Sequence, residues 1–285
     1  MRDFKVSKEL ASSLKAMSKR MRLNGLEMAK ATGEKGAHLG GSFSCIEILA
    51  VLYGAVLEYN VNDPQNKARD RFLPSKNHCT LAHFPALYEA GFIKKEELIE
   101  FQKDGGRLTG YPKNLEVGLE YSGGSLGQAI GVGIGMALSM REENLSQKVF
   151  VLMGDGELNE GSVWESFMFA SHYKLDNLVV IIDRNHLSYD GDTEDVMKLE
   201  PLDEKLKAFN WNVIKCNGHD TYELLQAFDK VKPSNGKNIN GQPYIIIADT
   251  IKGKGVSFIE NHREWHHHAL TLEQYECAKS EIENA

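Results

Sequence analysis

The chain is poor in cysteine and proline, with 4 and 7 in 285 residues. Cys45, Cys79, Cys216 and Cys277 are scattered and form no CxxC pair. That spacing excludes a thiolate zinc module and predicts isolated reduced thiols in a cytoplasmic protein. No stretch reaches the ~20 apolar residues of a membrane span. The longest apolar stretch, AIGVGIGMAL (129–138), is short and rich in glycine. The N-terminus is charged and lacks the apolar core of a secretory signal. Basic residues are not in surplus: 33 Lys and Arg against 40 Asp and Glu give a net charge of −7. No nucleic-acid footprint is expected from that balance, and no membrane contact from the absent span.

What is present is an ordinary globular composition, 42% hydrophobic and 26% charged. The length suits one large α/β domain or two small ones. There is no internal repeat, low-complexity segment or linker, so a single domain over residues 1–285 is the simplest count.

Residues 7–31 have the period of one or two amphipathic helices with basic outer faces. GEKGAHLGGSFS (33–44) reads as a glycine-rich loop, with Ser42 or Ser44 available to cap a helix over 45–57. Residues 71–93 read as a short strand, a turn and a helix. The glycine-rich stretch 104–125 reads as an irregular loop, and 126–143 as a helix. KVFVLM (148–153) and NLVVIID (177–183) are uninterrupted apolar runs of strand length on either side of a helical pattern at 162–175. FNWNVIKC (209–216), a helix at 220–231 and PYIIIADT (243–250) continue the alternation. Such strands between helices imply an α/β fold, a largely parallel sheet with helices on both faces.

The chemistry-bearing stretch is VFVLMGDGELNEG (149–161), an apolar run that ends at Gly154-Asp155-Gly156. Ligands of open parallel sheets bind at the carboxyl ends of the strands, where Asp155 falls. Asn185 follows thirty positions later, just past the next strand. One strand–helix–strand crossover should bring the two together. Two such oxygen ligands suit Mg²⁺ or Ca²⁺ better than Zn²⁺, and Mg²⁺ commonly completes its shell with water and phosphate oxygens. Plain turn residues would leave the same spacing.

GDGELNEG followed by DRN resembles the thiamine-diphosphate motif. Further segments are similar to transketolases in the same order: GAHLGGSFS (36–44), DRFLPSKNHCTLAHFPALYEAG (70–91), GGSLGQAIGVGIGMAL (123–138) and IKGKGVSFIENHREWHHHAL (251–270). The resemblance implies the thiamine-diphosphate-binding fold, with thiamine diphosphate and Mg²⁺ (Ca²⁺ as a substitute) as cofactors. It implies that Asp155, Asn185 and the Leu187 carbonyl hold the metal. It gives the cofactor His78, Gly124, Ser125, Leu126, Gly156, Glu160, Asn185 and His266, and makes Glu160 a buried acid that communicates between paired sites. His38 and His266 would move protons, with His267 an equal candidate because the WHHH run leaves the register open by one.

The implied activity is transfer of a two-carbon ketol unit from a ketose to an aldose. The segments cover only the first, diphosphate-binding domain of transketolases. The second domain supplies the activating glutamate and the arginines for a substrate phosphate. The chain is therefore expected to be the N-terminal subunit of a split transketolase. Its partner would be a C-terminal subunit of comparable size, in an α₂β₂ assembly that includes self-association. Two departures stand out. Tyr111 in GYP (110–112) replaces the usual histidine, and Asn77 replaces a glycine. Tyr111 puts the donor's identity in question, so a sugar phosphate or another acidic sugar, such as a sulfonate, is expected. The runner-up is the α subunit of a thiamine-dependent 2-oxo-acid dehydrogenase. A third reading, a non-catalytic nucleotide-binding subunit, rests on GVGIGMA (131–137), which lies within a helix pattern.

Overall fold

The structure is a computed structural model of the chain and describes residues 4–111, 118–232 and 240–285. Five strands form one sheet: β1 (Arg71–Pro74), β2 (Val149–Gly154), β3 (Leu178–Arg184), β4 (Asn212–Asn217) and β5 (Tyr244–Asp249). Their order is β1-β2-β3-β5-β4, and every neighbouring pair is parallel. The middle strands are buried along nearly their whole length, as uninterrupted apolar runs require. The outermost strand, β4, is more polar and only partly covered.

Helices pack on both faces: α1 (Lys8–Ala31), α2 (Leu39–Phe43), α3 (Ile46–Val51), α4 (Thr80–Glu89), α5 (Lys95–Leu98), α6 (Ala129–Glu142), α7 (Gly161–His172), α8 (Thr193–Val196), α9 (Leu202–Ala208), α10 (Thr221–Val231) and α11 (Leu272–Asn284). The pleat sorts the strands' side chains between two cores. Phe150, Leu152, Val179, Ile181 and Ile246 face α1, α3, α4, α10 and α11. Val151, Met153, Val180, Ile182 and Ile245 face α6, α7 and α9. Local signals set the helix starts. Ser7 Oγ accepts from Leu10 N at 3.1 Å, and Asp220 Oδ1 accepts from Tyr222 N at 2.8 Å. Thr271 and Gln274 form a reciprocal capping box ahead of α11.

Three expectations are corrected. Residues 33–44 are not a loop: a 3₁₀ turn at Gly33–Lys35 is followed by the buried α2. The glycines there serve close approach. A Cβ on Gly41 would lie 2.9 Å from His78 Nε2, and one on Gly40 would lie 3.0 Å from the Trp265 carbonyl oxygen. Neither Ser42 nor Ser44 caps α3, which starts after Cys45 with no side-chain cap. Ser44 Oγ instead donates to Asp183 Oδ2 at 2.6 Å. The helix expected over 45–57 is α3 followed by a wider π-type turn at Leu52–Val56. In the expected loop 104–125, residues 104–111 and 118–125 hold no helix or strand, while 112–117, including Pro112, lie outside the described residues. Among the described residues, no helix is long and apolar enough to cross a membrane.

Candidate active site

Four adjacent strands end on the same edge of the sheet. Gly154 of β2 lies opposite Asp183 of β3, and Arg184 lies opposite Asp249 of β5. Asp155, Asn185 and Lys252 therefore follow neighbouring strand ends, and Lys76 and His78 follow β1. These five residues line one cavity of about 320 Å³, together with Gly124, Leu126, Gly156, Leu187 and His266.

One wall is made of oxygens. Asp155 Oδ1 accepts from Gly156 N at 2.8 Å; Oδ2 accepts from His186 N at 2.6 Å and from Arg184 Nη1 at 3.1 Å. Burial, then the nearby Asp183 charge, raises the Asp155 carboxyl above its ordinary value despite those bonds. Asn185 Oδ1 accepts from Leu187 N at 3.2 Å. The Leu187 and Ser188 carbonyls accept from Lys252 Nζ at 3.0 and 3.1 Å. Among the described residues, no cluster of three His, Cys, Asp or Glu side chains could hold a metal by itself. A metal here would have one carboxylate, one amide and a backbone carbonyl, and would need further oxygens from a ligand.

Two lysines that the sequence reading does not single out also line the cavity. Lys76 is buried against Asp183, and Lys252 is buried close by. Burial and then the Lys76 charge hold the Lys252 ammonium down at about 8. The signal was available: each lysine sits just beyond a strand end, in PSKNH and IKGKG.

Imidazoles cluster at one side: His78 and His266 line the cavity, and His38 packs against them without being part of the lining. The His38 ring lies 5.2 Å from His78, 5.3 Å from His266, 4.6 Å from His267 and 5.9 Å from Tyr111, centroid to centroid. His78 and His266 are 5.1 Å apart. His266 lines the cavity, and its buried Nδ1 has no partner among the described residues; His267 adjoins His38 but is not part of the cavity lining. Burial, with the neighbouring cations and rings, lowers His38 to about 4 and His266 to about 3, and pushes His78 well below the usual range. At neutral pH these three rings are uncharged and can accept a proton or donate an N–H.

Two residues lie apart. Ser125 borders a shallow neighbouring depression with Tyr121 and Val132. Glu160 was expected to be buried but is exposed in the single chain, where it precedes α7. Besides Asp155, the buried acid of this loop is Glu157, turned inward by a 3₁₀ turn at Gly156–Asn159. A larger and more open concavity of about 690 Å³ lies at the ends of β3, β5 and β4. Its lining alternates lysine, histidine and carboxylates without a one-signed wall, so size does not select the site.

The cavity residues fit a diphosphate bridged by a hard divalent cation. Oxygen donors share it with ammonium groups and N–H-bearing rings. The Nδ1 of His266, unpaired among the described residues, awaits a partner, and Gly156 leaves a gap that a Cβ would narrow to 3.3 Å from Ser188 Cβ. The third sequence reading is not supported: GVGIGMA lies wholly inside α6 and so does not join a strand to a helix.

Comparison with known proteins gives the same direction. The profile of the family described as "Transketolase, thiamine diphosphate binding domain" matches residues 14–283. One of the subunits of the apulose-4-phosphate transketolase of Phocaeicola vulgatus is 40% identical over 248 residues, 87% of this chain and 86% of that protein. The 6-deoxy-6-sulfo-D-fructose transketolase subunit SqwG of a Clostridium species is 37% identical over 86% of this chain and 88% of its own length. The crystal structure of transketolase from Campylobacter jejuni superposes with a TM-score of 0.87 at 26% identity. That match covers 95% of this chain but 43% of the Campylobacter chain.

Proposed function

Because the chain belongs to the transketolase family through its thiamine diphosphate binding domain, we propose that it binds thiamine diphosphate through Mg²⁺ and, with a second polypeptide, transfers a two-carbon ketol unit from a ketose to an aldose. The observation that carries this reading is the cavity lined together by Asp155, Asn185, Lys76 and Lys252. Asp155, Asn185 and the Leu187 carbonyl would hold the metal. His78, Lys252 and the backbone at Gly124, Leu126 and Gly156 would hold the diphosphate. Bound thiamine diphosphate supplies the carbon centre that carries the migrating two-carbon unit and spreads its negative charge. His38 and His266, uncharged at neutral pH, accept and return the protons of the substrate hydroxyls, with His267 beside them. The Tyr111 phenol, near His38, borders the donor in place of an imidazole.

The names of the two relatives support the finer points. Both are subunits, and their named sugars carry a phosphate or a sulfonate. This chain is thus read as a single-domain, cytoplasmic N-terminal subunit acting on an acidic sugar beside a C-terminal partner. Self-association is supported by an exposed apolar face on α6 and α7, where Val132, Met168 and Phe169 stand clear of the core. These relatives are transketolases, so the 2-oxo-acid dehydrogenase alternative is set aside. Calorimetry tests the reading: with Mg²⁺, the chain should bind thiamine diphosphate and not NAD, and Asp155→Ala should abolish metal-dependent binding. Equal binding by wild type and Asp155→Ala would end the metal assignment. Ketol transfer by the purified chain alone would end the split assignment.

A further inference from the structure

Glu157 is a buried carboxylate with no role in the reaction proposed here. Its Oε1 accepts from Ser75 Oγ and from Gly127 N, the latter at 2.7 Å, and its Oε2 accepts from Gly154 N at 3.4 Å. The three donors belong to three segments that build the cavity. Ser75 opens the turn to Lys76 and His78, Gly127 closes the loop that carries Gly124 and Leu126, and Gly154 precedes Asp155. A carboxylate only accepts, and it has lone pairs enough for all three donors.

Among the described residues, two further side-chain hydrogen bonds reach the loop at 121–127. Asn77 Nδ2 donates to the Gly123 carbonyl at 2.7 Å, and Ser162 Oγ donates to the Gly127 carbonyl at 3.1 Å. Tyr121 packs against the core at the start of the loop, but Ser122, Gly124 and Ser125 beyond it are exposed, so packing does little to fix that stretch. Gly127 itself has φ +73°, and a Cβ there would lie 2.6 Å from Ser162 Oγ and 2.8 Å from Glu160 Cβ. The chain passes too closely for a side chain, and its position rests on these hydrogen bonds.

We propose that Glu157 is a positioning residue that sets the width of the cofactor slot, by tying the Gly124–Leu126 wall to the Gly154-Asp155-Gly156 loop and to the end of β1. This rests on the thiamine diphosphate reading. Glu157 holds the Gly127 wall at 2.7 Å and the Asp155 loop only by the long 3.4 Å bond from Gly154, so diphosphate binding should respond to its loss more than metal binding.

The test compares wild type, Glu157→Ala and Glu157→Gln as the whole chain. The readouts are exchange of the Gly127 amide without ligand, Mn²⁺ affinity alone, and thiamine diphosphate affinity at saturating Mg²⁺. Losing a buried charge-assisted bond should speed Gly127 exchange and weaken thiamine diphosphate binding in Glu157→Ala by about tenfold or more each, with Mn²⁺ affinity within about threefold. Glu157→Gln keeps one acceptor oxygen for Ser75 and Gly127, so it should restore Gly127 protection and most of the affinity. Unchanged exchange and affinity in Glu157→Ala would overturn the proposal. So would an equal loss of Mn²⁺ and thiamine diphosphate affinity, which would mark general collapse of the site. If wild type binds no thiamine diphosphate, the cofactor reading fails and with it the slot; Gly127 exchange then decides the tether alone.

Discussion

Replacing Lys76 by methionine should be among the most damaging single changes in the chain, and the size can be worked from its surroundings. Asp183, at the end of β3, is completely buried. It accepts from Lys76 Nζ, from Ser44 Oγ at 2.6 Å and from Thr250 Oγ1. Burial works to raise its carboxyl, but the Lys76 charge and these bonds hold it below the usual range. Burial likewise works against the Lys76 ammonium, and the Asp183 charge, the nearby Cys45 and Cys79 thiols and the hydrogen bond to Asp183 together more than offset it. Methionine keeps the volume and removes the charge, leaving a dry carboxylate with two hydroxyl donors. Removing one partner of a buried pair costs about 3–5 kcal/mol.

The sign of the pH dependence is a second check. In wild type, the depressed Asp183 contributes stability that is present above its unfolded value and is lost as pH falls through its folded value. In Lys76→Met, burial without the ammonium should raise the folded value above the unfolded one, so protonation relieves the strain as pH falls. The stability deficit should therefore be largest near pH 7 and shrink toward pH 5. Urea unfolding of the ligand-free chain, followed by tryptophan fluorescence at both pH values, measures it. The double variant Lys76→Met/Asp183→Asn should recover at least half of the loss. A deficit under about 1 kcal/mol at pH 7 would refute the reasoning, because it would place the pair outside the range for buried ion pairs.

Other outcomes follow from the same structure. His83 is fully buried beside Tyr53 Oη, at 2.8 Å, and burial holds it at about 3. It must stay neutral in the fold, so stability should fall as pH drops from about 6.5, by at most about 1.4 kcal/mol per pH unit for this ring. A His83→Gln variant with the same pH slope as wild type would show that His83 is not the cause. Gly135 is exposed within α6, and a Cβ there would meet nothing. Gly135→Ala should therefore stabilise the helix by about 1 kcal/mol, whereas Gly135→Leu should shift sedimentation toward monomer; an unchanged sedimentation profile would remove this face from self-association. EDTA should weaken thiamine diphosphate binding about tenfold or more, and Ca²⁺ should restore it, as expected for a hard oxygen site. Binding indifferent to EDTA would argue for direct contact with the lysines instead.

Much of the fold was legible because it rests on local pattern. VFVLM and LVVIID are too apolar and too short for anything but buried strands, and one crossover between them placed Asp155 near Asn185. What stayed hidden depends on distant partners. Lys76 reads as a surface lysine until Asp183, 107 residues away, is seen to share its pocket. The glycines of α2 read as loop residues, although they serve the close approach of His78 and Trp265. Helices α8, α9 and α11 were not anticipated, since their charged stretches carry little apolar period. Glu160 drew attention by register, while the tight turn after Asp155 gave the interior to Glu157. Lys252, like Lys76, follows a strand end that the sequence shows, but the Leu187 and Ser188 carbonyls it holds become visible only in the folded loop.

The outer edges of the sheet have a consequence of their own. A strand at an open edge offers unpaired N–H and C=O groups to any passing chain. Here β1 is four residues long, and β4 reads NVIKCN, with exposed Lys215 between Ile214 and Cys216. A sixth strand laid against β4 would have to strip water from that ammonium, and one laid against β1 would find little to pair with. Both edges of the folded sheet thus discourage edge-to-edge pairing with another chain.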